Sequence, residues 1–309
     1  MDAGRRAHFA EFYDGPPGGA PVAFVHGNCQ AEALRILLAG SPTFPYRTVR
    51  VPPAHELTAS DLPALAALLS RTALLVSQPV REDYRDLPIG TGQLAGRIRP
   101  PARVVRWPVV RFTGLHPYSA IVRHPSDRSA VPPVVPYHDL RTLAYAAGGD
   151  LDCPPAGAAQ LRAAGNDSVD ELARRERLHT DVGVSDLLLG LGVDAVHTVN
   201  HPGNKLLVAL ARRVQAAVGS PADAEDPGRE LLGGIRAPLE TSVVEALGLD
   251  TEPRPDWLVG DEVVSVERVR DAQLGWYLRH PAWVDAGLRR HAHRMRRLGL
   301  GIGLGAGRS

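Results

Sequence analysis

The segment Val22-Ala-Phe-Val-His-Gly-Asn-Cys-Gln30, followed at once by Ala31-Glu-Ala-Leu-Arg-Ile-Leu-Leu38, joins a strand to a helix through one sharp turn. The apolar run before Gly27 reads as a buried strand, and Ala31 to Leu38 reads as the first helix. Cys29 therefore sits on the turn itself. The first N–H groups of a helix lack internal partners and, with the macrodipole, favour a thiolate at that place. They are also suited to receive the negative oxygen of a tetrahedral intermediate. A free cysteine is commonly an inert core residue, but packing needs neither the tight exit at Gly27 nor amides at Asn28 and Gln30 on both sides of the sulfur.

Downstream, Arg47 to Val51, Ala73 to Ser77 and Arg103 to Arg106 are further short runs suited to buried strands. Between them Ser60-Asp61 is placed to cap a helix over Leu62 to Leu69, with Pro63 tolerated in its opening turn. Strands spaced by helices predict an α/β fold: a parallel sheet with right-handed crossovers, flanked by helices. In such sheets ligands bind beyond the carboxyl ends of the strands, where Gly27-Asn-Cys-Gln30 and Ser77-Gln-Pro79 both fall. After about Pro136 the texture becomes largely helical, with stretches over His138–Ala147, Val169–Leu178, Val184–Leu191, Lys205–Val218, Pro238–Leu247 and Val264–Leu278. The Gly149–Gly157 and Gly219–Gly228 stretches read as loops. The expected organisation is a turn-rich lead-in over 1–20, a single α/β domain over 21–296 whose helical half begins near 137, and a flexible tail over 297–309.

The 309-residue chain has a formal charge of +1 with basic and acidic residues interspersed, which argues against nucleic acid or an anionic bilayer as partner. No run approaches the roughly 20 apolar residues of a membrane span. The start lacks the apolar stretch of a signal peptide, and only two cysteines occur, so a cytoplasmic location is expected. Cys153, between Asp152 and Pro154, reads as a loop cysteine without a role. There is no His-Glu-x-x-His, no paired cysteines at finger spacing and no dense carboxylate cluster, so no metal is expected. A homo-oligomer is compatible with the sequence, which leaves the oligomeric state open.

An unperturbed thiol is mostly protonated at neutral pH, so Cys29 needs a base. His201, in Asn200-His-Pro-Gly-Asn-Lys205, is the first candidate, because Pro202 suits a helix opening and a helix start keeps an imidazole neutral. His116, in Gly114-Leu-His-Pro-Tyr118, is the second. Asn28, Gln30, Gln78, Asn200 and Asn204 are the amides placed to face an oxyanion or substrate. Arg81 and Arg85, one turn apart if that segment is helical, could hold phosphate, as could Lys205. Tyr118 joins them as a cofactor contact. Asp194-Ala-Val-His197 has the Asp-x-x-His spacing of many serine hydrolases and is the runner-up pair.

Gly27-Asn-Cys-Gln30, Ser77-Gln-Pro79, Gly114-Leu-His-Pro117 and Asn200-His-Pro-Gly-Asn204, in this order and spacing over about residues 20 to 210, resemble the WcbI-type polysaccharide biosynthesis proteins. The resemblance implies coenzyme A binding, acetyltransferase activity in capsule formation, and a core distantly similar to the SGNH hydrolases and of flavodoxin-like type. It maps Cys29 to the nucleophile position, with Gln30 and Gln78 beside it, and the His201 motif to the family's C-terminal His-Pro element. The implied reaction is transfer of an acyl group from a coenzyme A thioester, acetyl-CoA, to a hydroxyl of a saccharide or similar small-molecule acceptor. A cysteine-dependent hydrolase and a non-catalytic scaffold of a biosynthetic complex are the two alternatives.

Overall fold

The computed structural model describes residues 3–127, 130–150 and 154–300. Cys153 and the tail beyond residue 300 lie outside them. The chain groups into two compact units: one comprises the described residues up to Val110, Glu171–Ala195 and His201–Leu232, the other Arg111–Asp170, Val196–Asn200 and the described residues from Gly233 onward.

In the first unit four parallel strands, β1 (Val22–His26), β2 (Arg47–Thr48), β3 (Thr72–Ser77) and β4 (Arg103–Arg106), lie in the order β2-β1-β3-β4. All five residues of β1 are buried, as expected of a central strand covered on both faces. The chain leaves β1 toward one edge for β2, then returns past β1 to lay down β3. The gap beyond the carboxyl ends of β1 and β3 is thus the topological switch point. β2 is shorter than the expected Arg47–Val51. Pro52 and Pro53 supply no N–H, and the next donor, Ala54 N, bonds to Gly27 O at 2.7 Å, beyond the end of β1.

The helix after β1 runs Cys29–Gly40, so Cys29 is its first residue. Leu34, Leu37 and Leu38 are buried along it, and it packs against the helix Asn204–Ala217. The Leu62–Arg71 helix keeps Pro63 in its first turn, but Asp61 does not cap it. Asp61 instead accepts from Thr58 N (2.9 Å), closing a 3-10 turn over Ala59–Asp61. The lead-in is helical over Ala3–His8 and Ala10–Asp14, with Phe9 and Phe12 in the core and Tyr13 Oη donating to Asp61 at 2.7 Å.

Val184–Leu191 does not form the expected helix; it holds one short 3-10 turn, Ser185–Leu187, and a second, Gly192–Asp194, follows it. The buried Glu176 carboxylate accepts from the N–H of Val184 (2.7 Å) and of Ser185 and fixes the first turn, while the glycines at 183, 190 and 192 are poor helix formers and the helix does not propagate.

The second unit holds a three-stranded antiparallel sheet of Ile235–Arg236, Trp257–Val259 and Glu262–Val264. Helices Leu140–Ala146, Val266–Tyr277 and Pro281–Arg297 pack together beside it. The Thr241–Leu247 helix starts later than Pro238 because Leu239 pairs with Arg254 through two backbone hydrogen bonds. The Ala158–His179 helix exceeds the expected Val169–Leu178; Ser168 in its middle accepts from Thr113 N at 3.0 Å.

Candidate active site at the sheet switch point

The turn after β1 is built by a closed set of amide contacts. Asn28 caps the Cys29 helix, its Oδ1 accepting from Gln30 N at 2.9 Å. Asn28 N donates to Gln78 Oε1 (2.8 Å), and Gln78 Nε2 donates to Gln30 Oε1 (3.0 Å) and Pro108 O (3.3 Å). Gln30 Nε2 reaches Val110 O at 2.9 Å, and Val110 N returns to Gln30 Oε1 at 3.1 Å. The turn after β1, the end of β3 and the segment after β4 are thereby locked together. Gln30 and Gln78 are buried, and their amides frame the turn.

Cys29 is half-buried at this turn. Burial pushes its thiol pKa up and the charge of Glu56 adds to that, while its own N–H and that of Gln30 work the other way. The group is a thiol at neutral pH. The N–H groups of Cys29 and Gln30 are the donors at the sulfur, and the Gln30 N–H is also held by the Asn28 cap.

Glu56 belongs to a segment the sequence did not mark. Ala54 is tied to Gly27 O, His55 O accepts from Arg85 Nη1, and Glu56 O accepts from Arg5 Nη2 at 3.0 Å. His55 Nε2 lies 3.8 Å from Glu56 Oε1. An imidazole and a carboxylate are thus carried to the same turn. The signal available in the sequence was Pro52-Pro53, which fixes where β2 ends and the chain returns.

His201 is half-buried and precedes the Asn204 helix by a short extended segment rather than opening the helix. Gly203, its N-cap, presses on Asp194: a Cβ there would lie 2.4 Å from Asp194 O. Asn204 faces the loop that follows its own helix, its Nδ2 donating to Asp226 (2.9 Å) and Arg229 O, its Oδ1 accepting from Leu231 N. Lys205 pairs with Asp194 at 2.6 Å, which engages the carboxylate of the Asp-x-x-His pattern. The segment of Arg81 and Arg85 is not helical; Asp83, Arg85 and Asp86 all have positive φ. Arg81 is exposed there, and Arg85 is held by His55 O.

His116, Tyr118 and Asn200 belong to the second unit. His116 is buried, donates through Nδ1 to Pro238 O at 2.9 Å, and has its pKa pushed by burial down to about 4 despite that bond. The Tyr118 ring lies beneath the Arg141 guanidinium, 4.0 Å from its carbon, and Asn200 Oδ1 accepts from Tyr137 Oη at 2.9 Å.

At the carboxyl ends of β3 and β4 the first unit has a hollow of about 330 Å³, walled in part by Val80, Thr91, Arg106, Arg177 and His179. Its lining carries the nitrogen-bearing side chains of Arg106, Arg177 and His179, none of them singled out from the sequence, together with the Asp181 carboxylate, 3.8 Å from Arg106 Nη1. Among the described residues no group of three or more His, Cys, Asp or Glu side chains is placed to hold a metal ion, and no helix is long and apolar enough to cross a membrane.

A parallel α/β sheet of order 2-1-3-4 with a cysteine on the first helix turn at its switch point defines an α/β protein of flavodoxin-like topology. The model of the family described as polysaccharide biosynthesis enzyme WcbI matches residues 22–223, and the chain belongs to that family. A solved structure of WcbI, a polysaccharide biosynthesis enzyme in its native form without a disulfide bond between coenzyme A and a cysteine, is similar at a TM-score of 0.74. The similarity covers 90% of this chain and 99% of that one at 22% identity. No curated protein matches the chain.

Proposed function

We propose that this enzyme transfers an acyl group from a coenzyme A thioester to a hydroxyl of a saccharide precursor through Cys29. The observation that carries this reading is the placement of the Cys29 thiol on the first helix turn at the sheet switch point, with the N–H groups of Cys29 and Gln30 directed at the sulfur and the Asn28 side chain capping the same turn. The coenzyme A–cysteine pair named for the similar WcbI structure supports the choice of donor.

In this reading an imidazole takes the Cys29 proton as the sulfur attacks the thioester carbonyl carbon. The Cys29 N–H and Asn28 Nδ2 receive the oxyanion. Collapse breaks the bond to the coenzyme A sulfur, which leaves with the imidazolium proton. The acceptor hydroxyl then attacks the acyl-cysteine, giving its proton to the imidazole, and the ester leaves as Cys29 regains its thiol. His201 is the base that the sequence favours, and His55 is a second imidazole of the same unit. Arg106, Arg177 and His179 are suited to the donor's phosphates, since guanidiniums bind phosphate in two-point fashion.

The test is intact mass after incubation with acetyl-CoA together with release of coenzyme A thiol. An acetyl adduct that is absent in Cys29→Ala, with turnover lost in that variant, is the expected result; unchanged turnover in Cys29→Ala refutes the covalent role. His201→Ala and His55→Ala, compared at saturating donor, identify the base. Arg106→Ala with Arg177→Ala is expected to raise KM for acetyl-CoA by about tenfold or more with little change in kcat.

A further inference from the structure

The second unit encloses a cavity of about 230 Å³. Its walls come from the Leu115–Ser119 turn, the start of the Leu140–Ala146 helix, Trp257 and the Val266–Tyr277 helix. We propose that this cavity binds a single neutral sugar ring. The choice of a sugar rests on the acceptor class in the function proposed above; the location and the neutrality rest on the cavity.

Four charged side chains line it, Asp139 and Glu240 against Arg141 and Arg270, so the walls carry no net charge. Arg141 Nη2 bonds Asp139 Oδ2 at 2.6 Å and Glu240 Oε1 at 2.8 Å, and its plane rests on the Tyr118 ring. A charged ligand that engaged Asp139, Arg141 or Glu240 would have to break this frame, and one that engaged Arg270 would compete with its pair to Asp271. A polyol need not. Each carboxylate has more acceptor sites than Arg141 uses, and adjacent hydroxyls of a sugar can donate to them while the frame stays intact.

The apolar side is equally specific. Tyr137 and Trp257 stack with centroids 5.7 Å apart and planes 18° apart and both line the cavity, so an aromatic part of its wall is available to the C–H groups of a pyranose. That wall is held in place from behind: Tyr137 Oη is fixed by Thr198 and Asn200, and its carbonyl accepts from Gln273 Nε2 at 2.7 Å. The volume is below the roughly 300 Å³ at which pockets for drug-sized ligands begin, so it suits one ring and not a whole coenzyme A.

The experiment uses the full chain and three probes, the methyl glycosides of glucose, galactose and mannose, with adenosine as the contrasting flat ligand. Binding is read by saturation-transfer NMR and tryptophan fluorescence. At least one glycoside is expected to bind saturably, and both Trp257→Ala and Glu240→Gln to weaken it by about tenfold or more. Far-UV circular dichroism and melting check the variants; should Trp257→Ala not fold, the near-isosteric Glu240→Gln carries the test. Cys29→Ser is expected to bind the glycoside as the unaltered chain does. The proposal is overturned if no glycoside binds at tens of millimolar, if Glu240→Gln leaves affinity unchanged, or if adenosine displaces the glycoside and binds more tightly. Glycoside binding without acyl transfer in the assay above would refute the transferase reading and support the cavity.

Discussion

At Gly27 a Cβ would lie 2.5 Å from Gln78 Oε1 and 2.9 Å from its Cγ, so any side chain there displaces the amide that fixes Asn28. Gly27→Ala is therefore expected to cost about 1–3 kcal/mol, measured by urea unfolding, and to reduce turnover together with stability. Cys29 makes a second prediction at this scale. Because burial and the Glu56 charge both raise its pKa, alkylation by iodoacetamide is expected to be slow at neutral pH and to accelerate as the pH rises past the ordinary thiol range. Glu56→Gln removes one of the two raising causes, so it should speed alkylation at a fixed mildly alkaline pH; an unchanged rate would show that the carboxylate does not reach the sulfur. Cys29, Asn28, Gln30 and Gln78 were all legible, because strand, turn and helix lie in one local stretch and β3 ends in the same kind of turn. Their division of labour was not. Gln30 and Gln78 read as ligand-facing amides, and only their packing shows them spent on each other and on Pro108 and Val110.

The Cys29–Gly40 helix depends on its cap as well as on its leucines. Asn28→Ala removes the acceptor for Gln30 N and is expected to cost about 1 kcal/mol, whereas Asn28→Ser keeps an oxygen at the cap and should stay within a few tenths. Both lose Nδ2. Equal loss of turnover in the two, with unequal loss of stability in a denaturant series, would separate the donor role from the cap. Leu34→Ala, at a fully buried position of the same helix, is expected to cost about 2–5 kcal/mol in the same measurement. Elements with strong local signals were readable: β1, β3 and β4 are compact apolar runs, and the Asn204–Ala217 helix carries an apolar stripe. Those that misled did so for non-local reasons. Val184 and Ser185 are tied to the distant Glu176 carboxylate in a short 3-10 turn, and β2 is cut short where Ala54 turns to Gly27.

Four histidines, His26, His116, His138 and His291, have pKa values pushed by burial down to about 4. In the unfolded chain each titrates near 6.5, so between these values the unfolded state binds more protons and stability rises with pH. The contribution is complete above about pH 6.5 and is lost as the pH falls toward 4. Melting temperature is thus expected to fall steadily from pH 7 to pH 4.5, and a flat profile would show that these imidazoles are not buried neutral. Composition alone excluded no such behaviour and specified none of it. What the sequence determined by itself is local: the parallel α/β character, the strand–turn–helix around Cys29 and the family, since apolar runs, helix starts and short motifs are written in consecutive residues. What the tertiary structure decided is everything that depends on residues distant in the chain meeting. It brought His55 and Glu56 to the segment tied to the cysteine turn, gathered Arg106, Arg177 and His179 at the sheet edge, and placed His116, Tyr118 and Asn200 in a second unit, the first two on its cavity. Burial and long-range hydrogen bonds set those meetings, and no window of sequence contains both partners.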